Sequence, residues 1–152
     1  MGDILTPEEV LARVPQQEPF RFIEEIHEID REHIVASYRF PEDADFYRGH
    51  FPGNPLTPGV ILVEAMAQAG VVAMGIYLLA LDFDAAEVEK LVTVFTDANV
   101  DFTGSVLPGQ RVTTTGRVEF FRRKKLRAAV EMKLDDGTVV CNGVLSGMGV
   151  PK

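Results

Sequence analysis

The run from Val60 to Leu81, twenty-two mostly apolar residues opened by Pro58-Gly59 and rich in Ala, Leu and Met, constrains this chain more than any other stretch. Its composition favours helix over strand. A helix of that length is long enough to cross a bilayer. Glu64 and Gln68 oppose insertion: a carboxylate near the centre of a spanning helix costs up to about 2.5–3.5 kcal/mol, and no flanking Lys/Arg pattern would orient it. We therefore expect no membrane span. A helix apolar all round is otherwise buried on every side, here by its own sheet and by a second subunit. That reading expects a dimer.

The flanking segments supply the sheet. Thr6-Pro7-Glu8-Glu9 reads as a helix start with Thr6 as cap, Pro7 at the first helical position and Glu9 closing a capping box, so a short helix should run to about Val14. Residues Phe20 to Phe40 mix β-formers with charges and break at Asp30-Arg31-Glu32, which predicts two strands joined by a turn. Three or four strand-like stretches follow the long helix, near Leu91–Phe102, Gln110–Arg122, Leu126–Leu134 and Thr138–Met148, and Asp135-Asp136-Gly137 marks a tight hairpin between the last two. Strands before and after one long helix predict an α+β domain, a mainly antiparallel sheet packed on that helix. The 152 residues, 46% hydrophobic, suit one such domain over the whole chain, 1–152.

Charge narrows the partners. A net charge of −8 argues against nucleic acid, whose phosphates need clustered Lys and Arg. One cysteine, Cys141, excludes an internal disulfide and reads as an inert buried thiol. Three histidines too scattered for a cluster predict no metal site. Met1 to Pro15 lacks a basic start followed by an apolar run, so no signal peptide is visible and cytoplasm is the expected compartment.

The chemistry concentrates in residues 47–68. Pro52, Pro55 and Pro58 stiffen a loop that carries His50, and Glu64 sits in the first turns of the apolar helix. A histidine and a carboxyl can perform general acid–base work if the fold brings them together. His50 could equally be a loop histidine bonded to backbone. Glu64, flanked by Val63, Ala65 and Met66, is costly to bury unless paired, although the helix dipole offers a structural excuse. Gln68, one turn on, shares its face and could orient it or merely pack.

Gly49-His50-Phe51-Pro52-Gly53, followed by Pro58-Gly59-Val60 and Glu64-Ala65-Met66-Ala67-Gln68 at matching spacing, closely resembles the 3-hydroxyacyl-(acyl-carrier-protein) dehydratases of the FabZ type. Looser similarity runs from Pro19-Phe20 through Leu107-Pro108-Gly109 to Asp136-Gly137 and Val139-Val140-Cys141. The resemblance implies a hot-dog fold and dehydration of a 3-hydroxyacyl thioester, held on the phosphopantetheine of an acyl carrier protein, with no further cofactor. His50 would then take the C2 proton, and Glu64 would assist departure of the C3 hydroxyl. Backbone N–H groups at Gly59 and Val60 can point at the thioester oxygen. FabA dehydratase/isomerases typically carry Asp at the acid position, so Glu64 leans towards a dehydratase without dedicated isomerase activity. A homodimer with shared active sites is implied as well, with a trimer of dimers as the larger assembly open to it.

Two segments depart from the family pattern. Pro15-Gln16-Gln17-Glu18-Pro19-Phe20 stands where many relatives carry Pro-His-Arg-x-Pro-Phe, a change expected to bear on packing. Asp101 to Gly109 lacks the basic residues that relatives often show there, which bears on carrier docking. Carrier proteins are acidic, so a chain this acidic needs a local basic patch to receive one. Arg122-Arg123-Lys124-Lys125 is the candidate, the alternative being a solvated hairpin turn that protects sheet edges. Two other functions stay open on the same fold: an acyl thioesterase, which would leave His50 without an evident task, and a non-catalytic acyl-chain binding module.

Overall fold

The computed structural model describes residues 2–152. Six antiparallel strands, β1 (Glu25–Ile29), β2 (His33–Arg39), β3 (Leu91–Phe102), β4 (Arg111–Arg122), β5 (Lys125–Leu134) and β6 (Val139–Pro151), form one sheet in the order β1-β2-β4-β5-β6-β3. The helix Gly59–Asp82 lies against it. This is the α+β hot-dog arrangement expected of the chain.

The helix is apolar because its own chain buries it. Every residue from 65 to 80 is buried. The hydrophobic effect thus holds within one domain a segment that by length and composition could cross a membrane. Close approach to the sheet requires glycine: a Cβ on Gly70 would stand 2.7 Å from Val130 Cγ1, and one on Gly116 only 3.0 Å from Gly70 Cα. Gln68–Ala73 is a π-helical segment, with Met74 N–H reaching back to Ala69 O, which composition did not foretell. Two apolar clusters result. One joins Val10, Val14, Ile34 and Met74; the other joins Phe40, Met66, Met132 and Leu145.

Local chemistry explains the other elements. Thr6 and Glu9 exchange side-chain bonds with each other's backbone N–H at 3.2 and 3.0 Å, and the helix they cap spans Pro7–Arg13. Gly137 takes φ +89° and donates to Leu134 O in the expected hairpin turn. The first strand begins at Glu25 rather than near Phe20, because Phe22 N–H donates to the Gln68 side chain instead of a neighbouring strand. β6 runs beyond Met148 to Pro151, since β3 supplies a pairing partner for Gly149, Val150 and Pro151 despite the weak strand propensity of the glycine and the proline. Two short helical turns, Asp45–Arg48 and Ala85–Glu89, were not apparent in the sequence. Cys141 is fully buried beside Met66, and burial pushes its thiol up to about 11.

Candidate active site

The loop after the Asp45–Arg48 turn is closed on itself by hydrogen bonds. Phe51 and Asn54 exchange N–H···O bonds at 3.0 and 2.8 Å across Pro52-Gly53, where Gly53 takes φ +71°. Leu56 N–H donates to His50 O at 2.9 Å, and Thr57 N–H donates to Val106 O at 2.9 Å. The Tyr47 and Thr57 hydroxyls, both buried, are hydrogen-bonded beneath the loop. His50 Nδ1 lies 2.8 Å from Leu56 O. A carbonyl can only accept, so Nδ1 carries the proton and neutral His50 has an unprotonated Nε2, the form a general base needs. The backbone bond foreseen as a structural alternative for His50 therefore selects the tautomer that its catalytic reading requires.

Glu64 is half-buried two turns into the helix. Burial raises its carboxyl above the ordinary value of 4.5, and the hydrogen bond from Gln68 opposes that only in part. Gln68 Nε2 donates to Glu64 Oε2 and to Phe20 O, each at 2.9 Å, and Gln68 Oε1 accepts from Phe22 N–H. Gln68 is fully buried, so its amide ties the acid to the segment before β1. A cavity of about 40 Å³ opens beside Glu64, lined also by Ala67, Val71, Thr93 and Phe95. Through Val72 and Thr93 it adjoins a cavity of about 320 Å³, lined by Ile76, Leu79, Val88 and Leu91.

The expected site residues separate into groups. Gln68 meets Glu64. His50 makes no hydrogen bond to Glu64 among the described residues and does not line its cavity. Gly59 and Val60 open the helix ahead of its first bonded turn, in which Ile61 and Leu62 donate to Pro58 O. The ring of Phe102 lies where a Gly59 Cβ would project, at 3.1 Å, so that side of the glycine is already occupied. Arg122 to Lys125 form the β4–β5 turn, and Arg122, Arg123 and Lys124 line a depression with Asp82 and Phe83. They sit at the far end of the helix, about 27 Å from Glu64 at 1.5 Å per residue. Gln16, in the segment expected to bear on packing, instead lines the Glu64 cavity. Its nearness was signalled only by the departure from the family's histidine.

The sheet, the helix it wraps and the acid at the helix start define a hot-dog protein with a pocketed carboxyl. The FabA-like domain model matches residues 14–144, and the chain belongs to this FabA-like family. It is 31% identical over 139 residues to the 3-hydroxyacyl-(acyl-carrier-protein) dehydratase FabZ of Streptococcus pyogenes serotype M3, covering 91% of this chain and 94% of that one. Among solved structures, the dehydratase heterocomplex ApeI:P of Xenorhabdus doucetiae superposes with a TM-score of 0.74 at 18% identity, covering 97% of this chain and 93% of that one. A mutant of thioesterase PA1618 from Pseudomonas aeruginosa gives 0.69 at 19%, covering 99% and 97%. At those identities the two structures speak for the fold alone.

Proposed function

We propose that the chain dehydrates a 3-hydroxyacyl thioester, presented by an acyl carrier protein, to the trans-2-enoyl thioester in fatty-acid or related polyketide or polyene biosynthesis, in the cytoplasm. The observation that carries this is the pairing of opposite tendencies: a histidine whose bond to Leu56 O leaves Nε2 bare, and a carboxyl whose burial favours its proton. His50 Nε2 takes the C2 proton. Glu64 gives its proton to the C3 hydroxyl, which leaves as water. Charge developing on the thioester oxygen is met by the N–H groups of Gly59 and Val60. Loss of water is neither a net oxidation nor a net reduction, so the step draws on no redox group. The acyl chain follows the cavity along Val72, Ile76 and Leu79, whose lining also includes Arg13, Gln17 and Glu89.

In this reading the working unit is a homodimer, and each site combines His50 of one chain with Glu64 of the other. Two features support it. His50 lies outside the Glu64 cavity of its own chain. The edge strand β3 is twelve residues long and exposes Val94, Phe95 and Phe102, an edge suited to pairing with a second copy, whereas the opposite edge β1 has five residues and carries Glu25 and Glu28. Carrier docking falls to the four consecutive cations Arg122 to Lys125.

Incubation with a 3-hydroxyacyl-pantetheine thioester tests the chemistry. Enoyl product is expected; free thiol would mean a thioesterase, and binding without either product a carrier of acyl chains. Mixing inactive His50→Ala and Glu64→Gln chains tests the sharing. Equal random reassortment makes about half the dimers mixed, each with one intact site of two, so about a quarter of wild-type activity should return. Mixed dimers verified by mass that stay inactive would place both groups in one chain.

A further inference from the structure

The loop that carries His50 meets the protein interior only at its two ends. No residue from 48 to 56 is buried, whereas Tyr47 and Thr57, which bracket that stretch, are 5% and 3% exposed. Each end is anchored. Tyr47 belongs to the Asp45–Arg48 turn, its ring 4.7 Å from that of Phe46, and Thr57 N–H is bonded to Val106 O. Beneath the loop the two hydroxyls are bonded to each other. Apolar side chains could fill the same space, but a hydrogen bond is directional and fixes a separation that apolar contact leaves free to slide. A buried hydroxyl without a partner is costly, so each of these two depends on the other.

What the two ends position is the acceptor of His50. Leu56, whose carbonyl receives Nδ1–H, immediately precedes Thr57, and His50 follows Tyr47 by three residues. The hydroxyl pair therefore spans the base of the same loop that the His50–Leu56 bonds close. The exchange between Phe51 and Asn54 holds the tip of the loop and not its base. If the ends drift apart, the carbonyl leaves the ring. A neutral imidazole without that acceptor can carry its proton on either nitrogen, and the form protonated at Nε2 is no base. We propose that the Tyr47–Thr57 hydroxyl pair is a positioning device for His50: by joining the buried ends of the loop it keeps Leu56 O on Nδ1 and so keeps Nε2 bare. This rests on the reading of His50 as the base. Tyr47 and Thr57 touch no substrate in this assignment; both act through the histidine.

The test reads the tautomer directly. In the full-length chain with isotopically labelled histidine, nitrogen NMR separates the ring nitrogen that bears the proton from the bare one, and His50→Ala identifies the His50 signals against those of His27 and His33. Wild type should show Nδ1 protonated. Tyr47→Phe and Thr57→Val each delete one hydroxyl; each should draw the two signals together as the tautomers mix, and should lower kcat about fivefold, the worth of one net hydrogen bond, with KM within about twofold. Combining them should cost no more than either alone, since both break the same bond. Thr57→Ser, which keeps the hydroxyl, should keep the wild-type signals and turnover. His50 signals that stay unchanged in Tyr47→Phe and Thr57→Val overturn the assignment whatever turnover does, as do losses in kcat that add. If one of the two variants fails to fold, the other decides alone. Absence of enoyl product from the wild-type chain would sink the dehydratase reading itself, whereas enoyl formation with an unmoved tautomer sinks only the role of the pair.

Discussion

Between Gly59 and Glu64 the central helix buries only Leu62, whereas every residue from 65 to 80 is buried. The two halves share composition but not circumstance. The first leaves Val60 76% exposed and holds a carboxyl beside a cavity; the second is enclosed by strands and by the Pro7–Arg13 helix. Stability should therefore reside in the second half and chemistry in the first. This also moves the argument for a dimer. The helix flank expected to need a second subunit is covered along most of its length by its own chain, and uncovered apolar side chains lie instead on β3, at the helix start and on the loops that carry Phe51 and Leu107.

Substitutions along the helix give the sharpest contrast. Met74→Ala, at a fully buried position, should cost about 2–5 kcal/mol in urea unfolding. Val60→Ala should stay within about 0.5 kcal/mol. A larger cost at Val60 would mean that a second subunit covers it, and equal costs would erase the distinction between the halves.

Turnover should respond in the reverse order. His50→Ala and Glu64→Gln should each lower kcat at least about a hundredfold with little change in melting temperature. Turnover unchanged by either would return that residue to a structural role. A smaller effect concerns pH. The raised Glu64 pKa means that the folded state holds a proton that the unfolded chain gives up near 4.5. Its contribution to stability is complete below that value and is lost as pH rises through the folded pKa. Glu64→Gln should therefore gain stability relative to wild type as pH rises through that window, and a difference flat in pH would deny that burial governs the carboxyl.

The smallest effect is expected farthest from Glu64. Charge reversal across Arg122 to Lys125 should raise KM several-fold for a carrier-bound substrate and hardly at all for a pantetheine thioester, since only the carrier presents an acidic surface. Equal effects on both substrates would leave the run a solubility feature.

Elements whose signal is local were legible in the sequence. The capping box at Thr6, the turn at Gly137 and the long apolar helix each announce themselves through neighbouring residues, and the Glu64–Gln68 contact follows from helical spacing alone. What depends on distant partners was not. The π segment Gln68–Ala73 includes the weak helix formers Gly70, Val71 and Val72, yet these lower helix propensity without specifying a widened turn. The partnership of the Arg21 guanidinium with the carbonyls of Leu11, Val14 and Gln16 joins residues whose spacing carries no known pattern. The tautomer of His50 is set by a carbonyl six residues on, and carbonyls leave no trace in a sequence.

The β4–β5 turn is built from residues ill suited to it. Arg123 and Lys124 take φ of +53° and +63°, the left-handed conformations that a two-residue hairpin demands and that Asn-Gly adopts readily. Each side chain there costs about 1–2 kcal/mol. Lys124 stands over the Phe83 ring at 5.3 Å and Arg122 over Phe120 at the same distance, cation–π contacts that offset part of this cost. A turn optimised for folding would carry no charge here, so durability and cationic character pull in opposite directions at this corner. Replacing Arg123-Lys124 with Asn-Gly should yield a chain that melts later and receives its carrier less well.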